Sequence, residues 1–230
     1  MNHLHSTSVD LVLPCYNPPP QWASNIVESF NKLEELLPQC TLQLIIVDDG
    51  SDPVLPEDQI NFIREKIPGL RWIKQVPNKG KGAALRRGVM AGTSSYTVFT
   101  DIDFPYTLPT TAGLIKELLK ENADVVVGQR KAKYYEKTPL MRKLVSKFLR
   151  LFNRYILRIP VTDTQCGLKG FNRKGQQAFS ETTVNRYLFD LEFLILAGSK
   201  KYDLSVRPFI VELREGVNFS KLNLKILFTE

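Results

Sequence analysis

Histidine is nearly absent from this chain. Its 230 residues include two histidines, His3 and His5, and both lie within the first five positions. We expect residues 1–8 to be disordered, so neither histidine is available to a catalytic centre in the folded part of the protein. This excludes hydrolases built on a serine–histidine triad, because the histidine is the general base of such a triad.

Cysteines and long apolar runs are scarce as well. The three cysteines, Cys15, Cys40 and Cys166, are too scattered for a disulfide framework, and no Cys/His spacing is typical of zinc. No window approaches the roughly 18 uninterrupted apolar residues that a membrane span needs. The first residues lack the apolar region of a secretory signal. From these absences we expect a protein of the reducing cytoplasm.

Strand and helix patterns alternate along most of the chain, which favours a parallel sheet with helices on both faces. The length suffices for one α/β domain, with an ordinary apolar content of 43%. We predict strands at 9–14, 42–47, 70–74, 96–100, 124–127 and 205–213, and a short strand and helix after residue 167. Helices are predicted near 21–37, 57–67, 82–91, 109–121, 139–159 and 189–196. No linker divides the chain into separate domains.

Acidic residues follow two of the predicted strands. Asp101 and Asp103 come directly after one strand, and residues i and i+2 of an extended chain project to the same side. Asp48 and Asp49 end another strand, and ligands of parallel sheets bind outside the carboxyl ends of their strands. A single acid at such a place is also typical of a helix cap or a solvated turn. The convergence of four acids indicates a nucleotide-type ligand held through a divalent cation.

The positive charge of the chain is concentrated in residues 130–158. This segment holds ten Lys or Arg residues and one acid, Glu136, so its net charge is +9. The whole chain carries +7, so the other residues together are slightly negative. In the helix predicted at 139–159, apolar residues fall on one face and basic residues along the other side. The pattern is typical of a helix lying in a membrane interface, or of one packing its apolar face on the core. Nucleic-acid binding is not favoured, because the aromatic residues lie on the apolar face and no known nucleic-acid module is visible.

Several motifs occur in an order that resembles a known enzyme family: Leu13-Pro14-Cys15-Tyr16-Asn17, Val47-Asp48-Asp49-Gly50-Ser51, the glycine-rich stretch Asn78–Gly88, Asp101-Ile102-Asp103, Val127-Gly128-Gln129-Arg130 and Asp163–Phe171. Together they resemble the inverting family 2 glycosyltransferases of GT-A (Rossmann-like) fold. Within that family the likeness is closest to the polyprenyl-phosphate sugar synthases, meaning the dolichyl-phosphate mannose and glucose synthases and their bacterial relatives. The resemblance covers about residues 9–215.

The resemblance implies a role for each matching residue. The nucleotide-sugar would be bound by Pro14, Tyr16, Asp48, Asp49, Lys81, Asp101, Ile102 and Asp103. Mg²⁺ or Mn²⁺ would be held by Asp101 and Asp103. Catalysis would involve the same pair together with Asp163, Gln165 and Glu192. The acceptor phosphate would be bound by Arg130, Arg142 and Ser146, and Arg214 is expected to help close the site.

Some positions depart from the family pattern or leave alternatives open. Asn17 stands where the family usually carries an acid, and Pro105 stands where many members have a polar residue near the metal. Gly80 and Gly82 let a backbone approach a ligand closely, or they form an ordinary loop before a helix. Glu192 lies among apolar residues and is equally consistent with structural support.

The resemblance implies a metal-dependent enzyme that moves a sugar from a UDP- or GDP-sugar to a polyprenyl phosphate. We expect a nucleotide-sugar-binding half at 9–128 and an acceptor-binding half at 129–230. The enzyme would lie at the inner face of the membrane, through the helix 139–159 or a separate membrane anchor protein. One alternative is a family 2 transferase that acts on a saccharide hydroxyl, with Glu192 or Asp190 as base. Another is a nucleotide-sugar-binding module without turnover.

Overall fold

The computed structural model describes residues 7–130, 161, 163–186 and 188–216. Within them the chain forms one sheet with helices packed on it. The strands are β1 (Thr7–Cys15), β2 (Cys40–Asp48), β3 (Arg71–Lys74), β4 (Tyr96–Phe99), β5 (Val125–Arg130), β6 (Lys169–Asn172) and β7 (Val206–Val211). The helices are α1 (Trp22–Leu36), α2 (Glu57–Lys66), α3 (Lys81–Ala91), α4 (Leu108–Leu118), α5 (Arg173–Ser180) and α6 (Phe189–Ala197).

The sheet is mostly parallel, as the alternation of strands and helices predicts. Its strand order is β3-β2-β1-β4-β6-β5-β7. The pairs β1–β2, β2–β3, β1–β4 and β5–β7 are parallel, whereas β6 runs antiparallel to both β4 and β5. The parallel sheet predicted from the sequence is therefore interrupted by β6, which begins at the edge where the parallel strands end.

Helices cover both faces of the sheet and enclose two apolar clusters. Successive residues of a strand point to opposite faces, so Leu11 and Leu13 of β1 belong to one cluster and Val12 to the other. The first cluster is closed by α1, α2 and α4, and the second by α3, α5 and α6. Burial on both faces explains why the central strands are almost entirely apolar.

The two halves expected from the sequence share this sheet. The expected boundary after residue 128 falls inside β5, and β6 of the second half lies between β4 and β5. One further boundary needs correction, because Thr7 and Ser8 form the start of β1 and pair with Cys40 and Thr41 rather than being disordered.

The helix predicted at 139–159 lies outside the described residues. Among the helices that are described, none combines the length and the apolar character that crossing a bilayer requires.

Candidate active site at the carboxyl edge of the sheet

The residues predicted to bind the nucleotide-sugar, apart from Lys81 in α3, lie where β1, β2 and β4 end. Parallel pairing places these ends side by side, with Cys15 of β1 beside Asp48 of β2 and Val12 of β1 beside Phe99 of β4. Lys169, the first residue of the antiparallel strand β6, lies at the same edge because it pairs with Phe99. The loops that follow the three parallel strands therefore line one edge, where ligands of parallel α/β folds bind.

Asp101 lies two residues beyond β4 and is bound by a lysine. Lys81, the first residue of α3, donates a hydrogen bond from Nζ to Oδ1 of Asp101, and the two form an ion pair. Both side chains stay partly exposed, 37% for Lys81 and 31% for Asp101, so a ligand can reach them. Burial lowers the pKa of Lys81, but the carboxylates of Asp101, Asp190 and Asp103 together raise it by more. Lys81 is therefore positively charged at neutral pH.

Asp103 lies in the turn after β4 with much of its surface exposed. The protein atoms around its carboxyl group raise its pKa, and the like charge of Asp101 raises that pKa further. Arg214, beyond β7, donates from its guanidinium to the main-chain oxygen of Asp103, and its backbone N–H donates to the carbonyl of Pro105 at 2.9 Å. The structure thus places Arg214 beside the acidic pair, and its role in closing the site stays a prediction.

Asp101 and Asp103 offer carboxylate oxygens, the ligands that Mg²⁺ and Mn²⁺ prefer. Their mutual repulsion, which contributes to the raised pKa of Asp103, is relieved when a cation binds them. No group of three or more His, Cys, Asp or Glu that could hold a metal occurs in the described part of the chain. Further oxygens would come from phosphates and water, as is usual for Mg²⁺ beside a nucleotide. The residues present therefore fit a divalent cation that arrives with a diphosphate.

Arg130, the last residue of β5, forms a bidentate ion pair with Asp163. Its Nε lies 2.6 Å from Oδ2 of Asp163 and its Nη2 lies 2.7 Å from Oδ1. The two side chains are 9% and 4% exposed. Asp163 thus orients the guanidinium of Arg130, so two predicted site residues meet. Gln165 lies in the same loop as Asp163 and is exposed.

Gly167 and Tyr106, to which the sequence assigned no role, hold the loop after Asp163 against Asp101. A Cβ on Gly167 would lie 2.6 Å from Oδ2 of Asp101, so a side chain at this position would have to push the Asp101 carboxylate aside. The backbone N–H of Gly167 donates to the hydroxyl of the buried Tyr106 at 3.0 Å, and Sγ of Cys166 lies 3.2 Å from that hydroxyl. The sequence alone could not reveal this arrangement. A glycine at position 167 is equally typical of a turn, and Tyr106 gives no local sign that its hydroxyl binds a distant loop.

Asp48 and Asp49 are buried and hold the loops of the site edge. Asp48 accepts a hydrogen bond from the backbone N–H of Ser51 at 3.0 Å. Asp49 accepts from Nε2 of Gln75 at 2.5 Å, and from the two backbone N–H groups of residues 79–80 at 2.9 and 2.7 Å. These contacts fix the loop that leads into α3. The contact of both carboxylates with a base or ribose stays a prediction.

The loop after β1 presents Tyr16, whose surface is 53% exposed, next to the partly buried Pro14. Asn17 adopts a left-handed conformation with a φ of 44°, which asparagine tolerates better than most residues. Its backbone N–H donates to Oγ of Ser51 at 3.0 Å, and its Oδ1 accepts from the backbone N–H of Asp52 at 2.9 Å. The residue that departs from the family pattern therefore joins the loops after β1 and β2.

The close neighbours of Gly80 and Gly82 are protein atoms. A Cβ on Gly80, which has a φ of 103°, would lie 2.5 Å from the carbonyl oxygen of Asn185, and one on Gly82 would lie 2.6 Å from that of Val184. The backbone N–H of Gly82 donates to the Asn185 oxygen at 2.7 Å. The expectation that these glycines admit a ligand therefore needs correction, because they admit the chain segment 184–186. Gly80 does precede a helix, as the alternative interpretation expects.

Glu192 and Asp190 have their own partners in α6 and around it. The carboxylate of Glu192 accepts hydrogen bonds from the backbone N–H and the hydroxyl of Thr183 at 2.9 and 2.8 Å, and from the N–H of Val184 at 2.8 Å. Asp190 is buried and forms an ion pair with Lys169. These contacts favour structural support over a general base, the two interpretations that the sequence left open for Glu192.

The remaining predicted residues divide into two groups. Ile102 is partly buried and packs on the first apolar cluster, and its contact with the nucleotide-sugar stays a prediction. Arg142 and Ser146, predicted to bind the acceptor phosphate, lie outside the described residues.

Comparison with known proteins gives a family match over most of the chain. The family model described as "Glycosyl transferase family 2" matches residues 10–177. The dolichyl-phosphate beta-glucosyltransferase ALG5C of Trichomonas vaginalis is 30% identical over 213 residues, which are 86% of this chain and 61% of that protein. The chain therefore spans less than two thirds of the length of this relative.

Solved structures share the fold. The mannosyl-3-phosphoglycerate synthase of Rubrobacter xylanophilus superposes with a TM-score of 0.72 at 16% identity, over 96% of this chain and 70% of that one. The glucosyl-3-phosphoglycerate synthase of Mycobacterium tuberculosis, solved with Mn²⁺, UDP and glucosyl-3-phosphoglycerate, superposes with a TM-score of 0.64 at 19% identity, over 96% and 75% of the two chains. The predicted GT-A fold is confirmed.

Proposed function

Because the chain belongs to glycosyl transferase family 2, we propose that it transfers a sugar, with inversion, from a nucleotide-sugar to the phosphate of a polyprenyl lipid. The observation that carries this proposal is the acidic pair Asp101 and Asp103 at the carboxyl edge of the sheet, with Lys81 bound to Asp101 and Arg214 bound beside Asp103. Two carboxylates with a lysine and an arginine beside them suit a ligand that combines a metal ion with phosphates.

The donor half of the proposal concerns the nucleoside diphosphate. Asp101 and Asp103 would hold Mg²⁺ or Mn²⁺, which when bound would neutralise the charge that develops on the departing diphosphate. Lys81 and Arg214 add fixed positive charge at the same place, and charge-assisted hydrogen bonds to phosphate oxygens are the strong ones. The exposed ring of Tyr16 beside Pro14 supports a base pocket near Asp48 and Asp49. A structural neighbour solved with UDP and Mn²⁺ supports a donor and a cofactor of this class.

The acceptor half rests on the relatives and on the charges of the second half of the chain. ALG5C is named for transfer to dolichyl phosphate, which is a polyprenyl phosphate. We assign Arg130, Arg142 and Ser146 to the acceptor phosphate, and Asp163 would keep the guanidinium of Arg130 in a fixed direction. A lipid phosphate is already ionised, so it needs little help from a base. This agrees with a site in which Glu192 and Asp190 are bound to other groups.

We further propose that the protein works at the cytoplasmic face of the membrane. The acceptor is a membrane lipid, and residues 130–158 carry a net charge of +9 that anionic headgroups would attract. The predicted amphipathic helix 139–159 would lie in the interface, and a separate membrane protein would be a second means of anchoring. Binding to vesicles with and without anionic lipid tests this point, since equal binding to both would contradict it.

The acceptor assignment is tested with Arg142→Ala. We expect this variant to lose activity toward a short-chain polyprenyl phosphate while binding the nucleotide as the wild type does. The matched control is Arg64→Ala, on the exposed surface of α2, which should keep both properties. An equal loss of lipid use and nucleotide binding would indicate misfolding, and unchanged lipid use would exclude the assigned role of Arg142.

A further inference from the structure

Lys169 is a charged residue inside an apolar face of the sheet. It begins β6, its side chain is 0% exposed, and its Nζ lies 5.6 Å from the centre of the Phe99 ring. Phe99 and Phe171 belong to the same buried cluster. Moving an ammonium group from water into such surroundings is unfavourable unless partners compensate it.

Two acceptors bind this ammonium group. Nζ of Lys169 donates to Oδ1 of Asp190 and to the carbonyl oxygen of Cys166, the latter at 2.6 Å. Asp190 lies in the first turn of α6, where the helix dipole favours a carboxylate. Buried ion pairs of this kind contribute little net stability, because well-packed apolar residues often replace them without loss. What such a pair does fix is the position of the groups bound to it.

The group bound to Lys169 leads directly to Asp101. The carbonyl of Cys166 precedes Gly167, and Gly167 packs so closely on Asp101 that a Cβ would come within 2.6 Å of Oδ2. A shift of the Cys166–Gly167 backbone would therefore move the Asp101 carboxylate or leave a gap behind it. Tyr106 holds the same peptide from the other side, through its hydroxyl and the Gly167 N–H.

Asp190 also interacts electrostatically with Lys81, the lysine that is bound to Asp101. Its negative charge is among the influences that raise the pKa of Lys81, after that of Asp101. Ion pairs join Lys169 to Asp190 and Lys81 to Asp101, and the opposite charges of Asp190 and Lys81 attract each other.

We propose that Lys169 and Asp190 are positioning residues, which set the Cys166–Gly167 backbone and through it the direction in which Asp101 presents its oxygens to a divalent cation. The inference rests on the proposed function, because it presumes that Asp101 binds a cation together with a nucleoside diphosphate. It assigns no contact between the buried pair and the substrate. The pair acts through the loop that it holds.

The test is the double variant Lys169→Met/Asp190→Leu, which replaces the pair by apolar residues of similar size. Calorimetric titration would measure the affinity for UDP and for GDP, each with Mn²⁺ and with EDTA. We expect the nucleotide affinity in EDTA to stay unchanged. The gain from Mn²⁺, meaning the factor by which Mn²⁺ raises that affinity over its value in EDTA, should fall roughly 10- to 100-fold, as when groups that orient a metal ligand are removed. The thermal midpoint should be unchanged or raised. The matched control is Lys201→Met/Glu181→Leu, which removes an exposed ion pair and should keep the full gain.

The outcomes separate the two levels of the argument. If the wild type gains nothing from Mn²⁺, the proposed function is wrong and this inference fails with it. If the wild type gains and the double variant gains equally, the positioning role is overturned while the proposed function stands. A lowered thermal midpoint with an unchanged gain would show a purely stabilising pair, which also overturns the inference.

A second variant covers the case in which the double variant does not fold. Gly167→Ala leaves the buried pair intact and pushes a methyl group against the far end of the Asp101 side chain, which can move. If the position of this backbone governs Asp101, the gain from Mn²⁺ should fall about 10-fold or more with little change in stability. An unchanged gain would overturn the proposal by itself.

Discussion

Nζ of Lys81 donates a hydrogen bond to Oδ1 of Asp101, which joins the first residue of α3 to the loop after β4. The amino end of α3 is itself fixed by two hydrogen bonds. The N–H of Gly80 donates to the carboxylate of Asp49, and the N–H of Gly82 donates to the carbonyl of Asn185. The position of this positive charge therefore depends on Asp49, which follows β2, and on a segment about 100 residues further along the chain. A cation that binds Asp101 must share the carboxylate with Lys81.

Replacing Asp101 by asparagine should abolish metal-dependent donor binding. The change keeps the shape of the side chain but removes the negative charge of a proposed ligand of the cation, which is also the ion-pair partner of Lys81. We expect turnover to fall at least about 100-fold, because the metal supplies several kcal/mol of charge stabilisation. Nucleotide affinity with and without Mn²⁺ is the measurement, and Asp58→Asn on the exposed surface of α2 is the control. Unchanged affinity with Mn²⁺ would count against the shared site.

Arg214→Ala should weaken donor binding without unfolding the protein. The guanidinium of Arg214 lies at the main-chain oxygen of Asp103, next to the proposed diphosphate, and the residue is exposed. Loss of one charged hydrogen bond to phosphate corresponds to about 1.5–3 kcal/mol, or roughly a 10-fold or greater rise of the donor KM. Arg207→Ala, on β7 and half exposed, should leave KM at the wild-type value. Equal KM values for both variants would place the diphosphate away from Arg214.

Glu192→Gln distinguishes a structural acid from a general base. The carboxylate accepts hydrogen bonds from Thr183 and Val184, and an amide in its place turns a donor toward one of these N–H groups. We expect the free energy of unfolding to fall by about 1–3 kcal/mol, with turnover per folded molecule nearly unchanged. A general base would instead show a 100- to 10,000-fold loss of turnover, as is roughly typical of such residues, with normal stability. The matched control, Glu65→Gln, lies on the exposed surface of α2.

Gly82→Ala should destabilise the fold by crowding. The added Cβ would lie 2.6 Å from the carbonyl oxygen of Val184 and 2.7 Å from Cβ of Phe189, and neither atom can move away freely. Overpacking of this kind costs about 1–3 kcal/mol, which chemical denaturation would measure. Gly69→Ala is the control, because among the described residues its Cβ would meet only Oε1 of Gln43, at 3.4 Å. Equal stability of the two variants would show that segment 184–186 is not packed against α3 as described.

Much of the fold could be predicted because its signals are local. Apolar runs such as the one in β2 identify the central strands, and the period of Trp22, Ile26 and Phe30 identifies α1. The place of Asp101 and Asp103 follows from the position of their strand in a parallel sheet. Each of these inferences depends on a few neighbouring residues, which a single sequence displays.

The contacts that shape the site could not be predicted, because they join residues that are distant in the chain. Lys169 begins a short strand and would ordinarily be expected in solvent, and only the fold shows that Asp190 forms an ion pair with it. β6 pairs antiparallel with β4 and β5, which are distant from it in the chain, and no local pattern encodes this direction. The glycines before α3 indicate a close approach but do not tell whether the neighbour is a ligand or Asn185.

The central claim is that a sugar passes from a nucleotide-sugar to a polyprenyl phosphate. It is tested most directly by offering a panel of UDP- and GDP-sugars with Mn²⁺, with and without a short-chain polyprenyl phosphate, and by measuring released nucleoside diphosphate. We expect release that requires the lipid phosphate and that EDTA abolishes. Donor binding that depends on Mn²⁺, with no release when the lipid is added, would contradict the account and would favour a saccharide acceptor or a binding module without turnover.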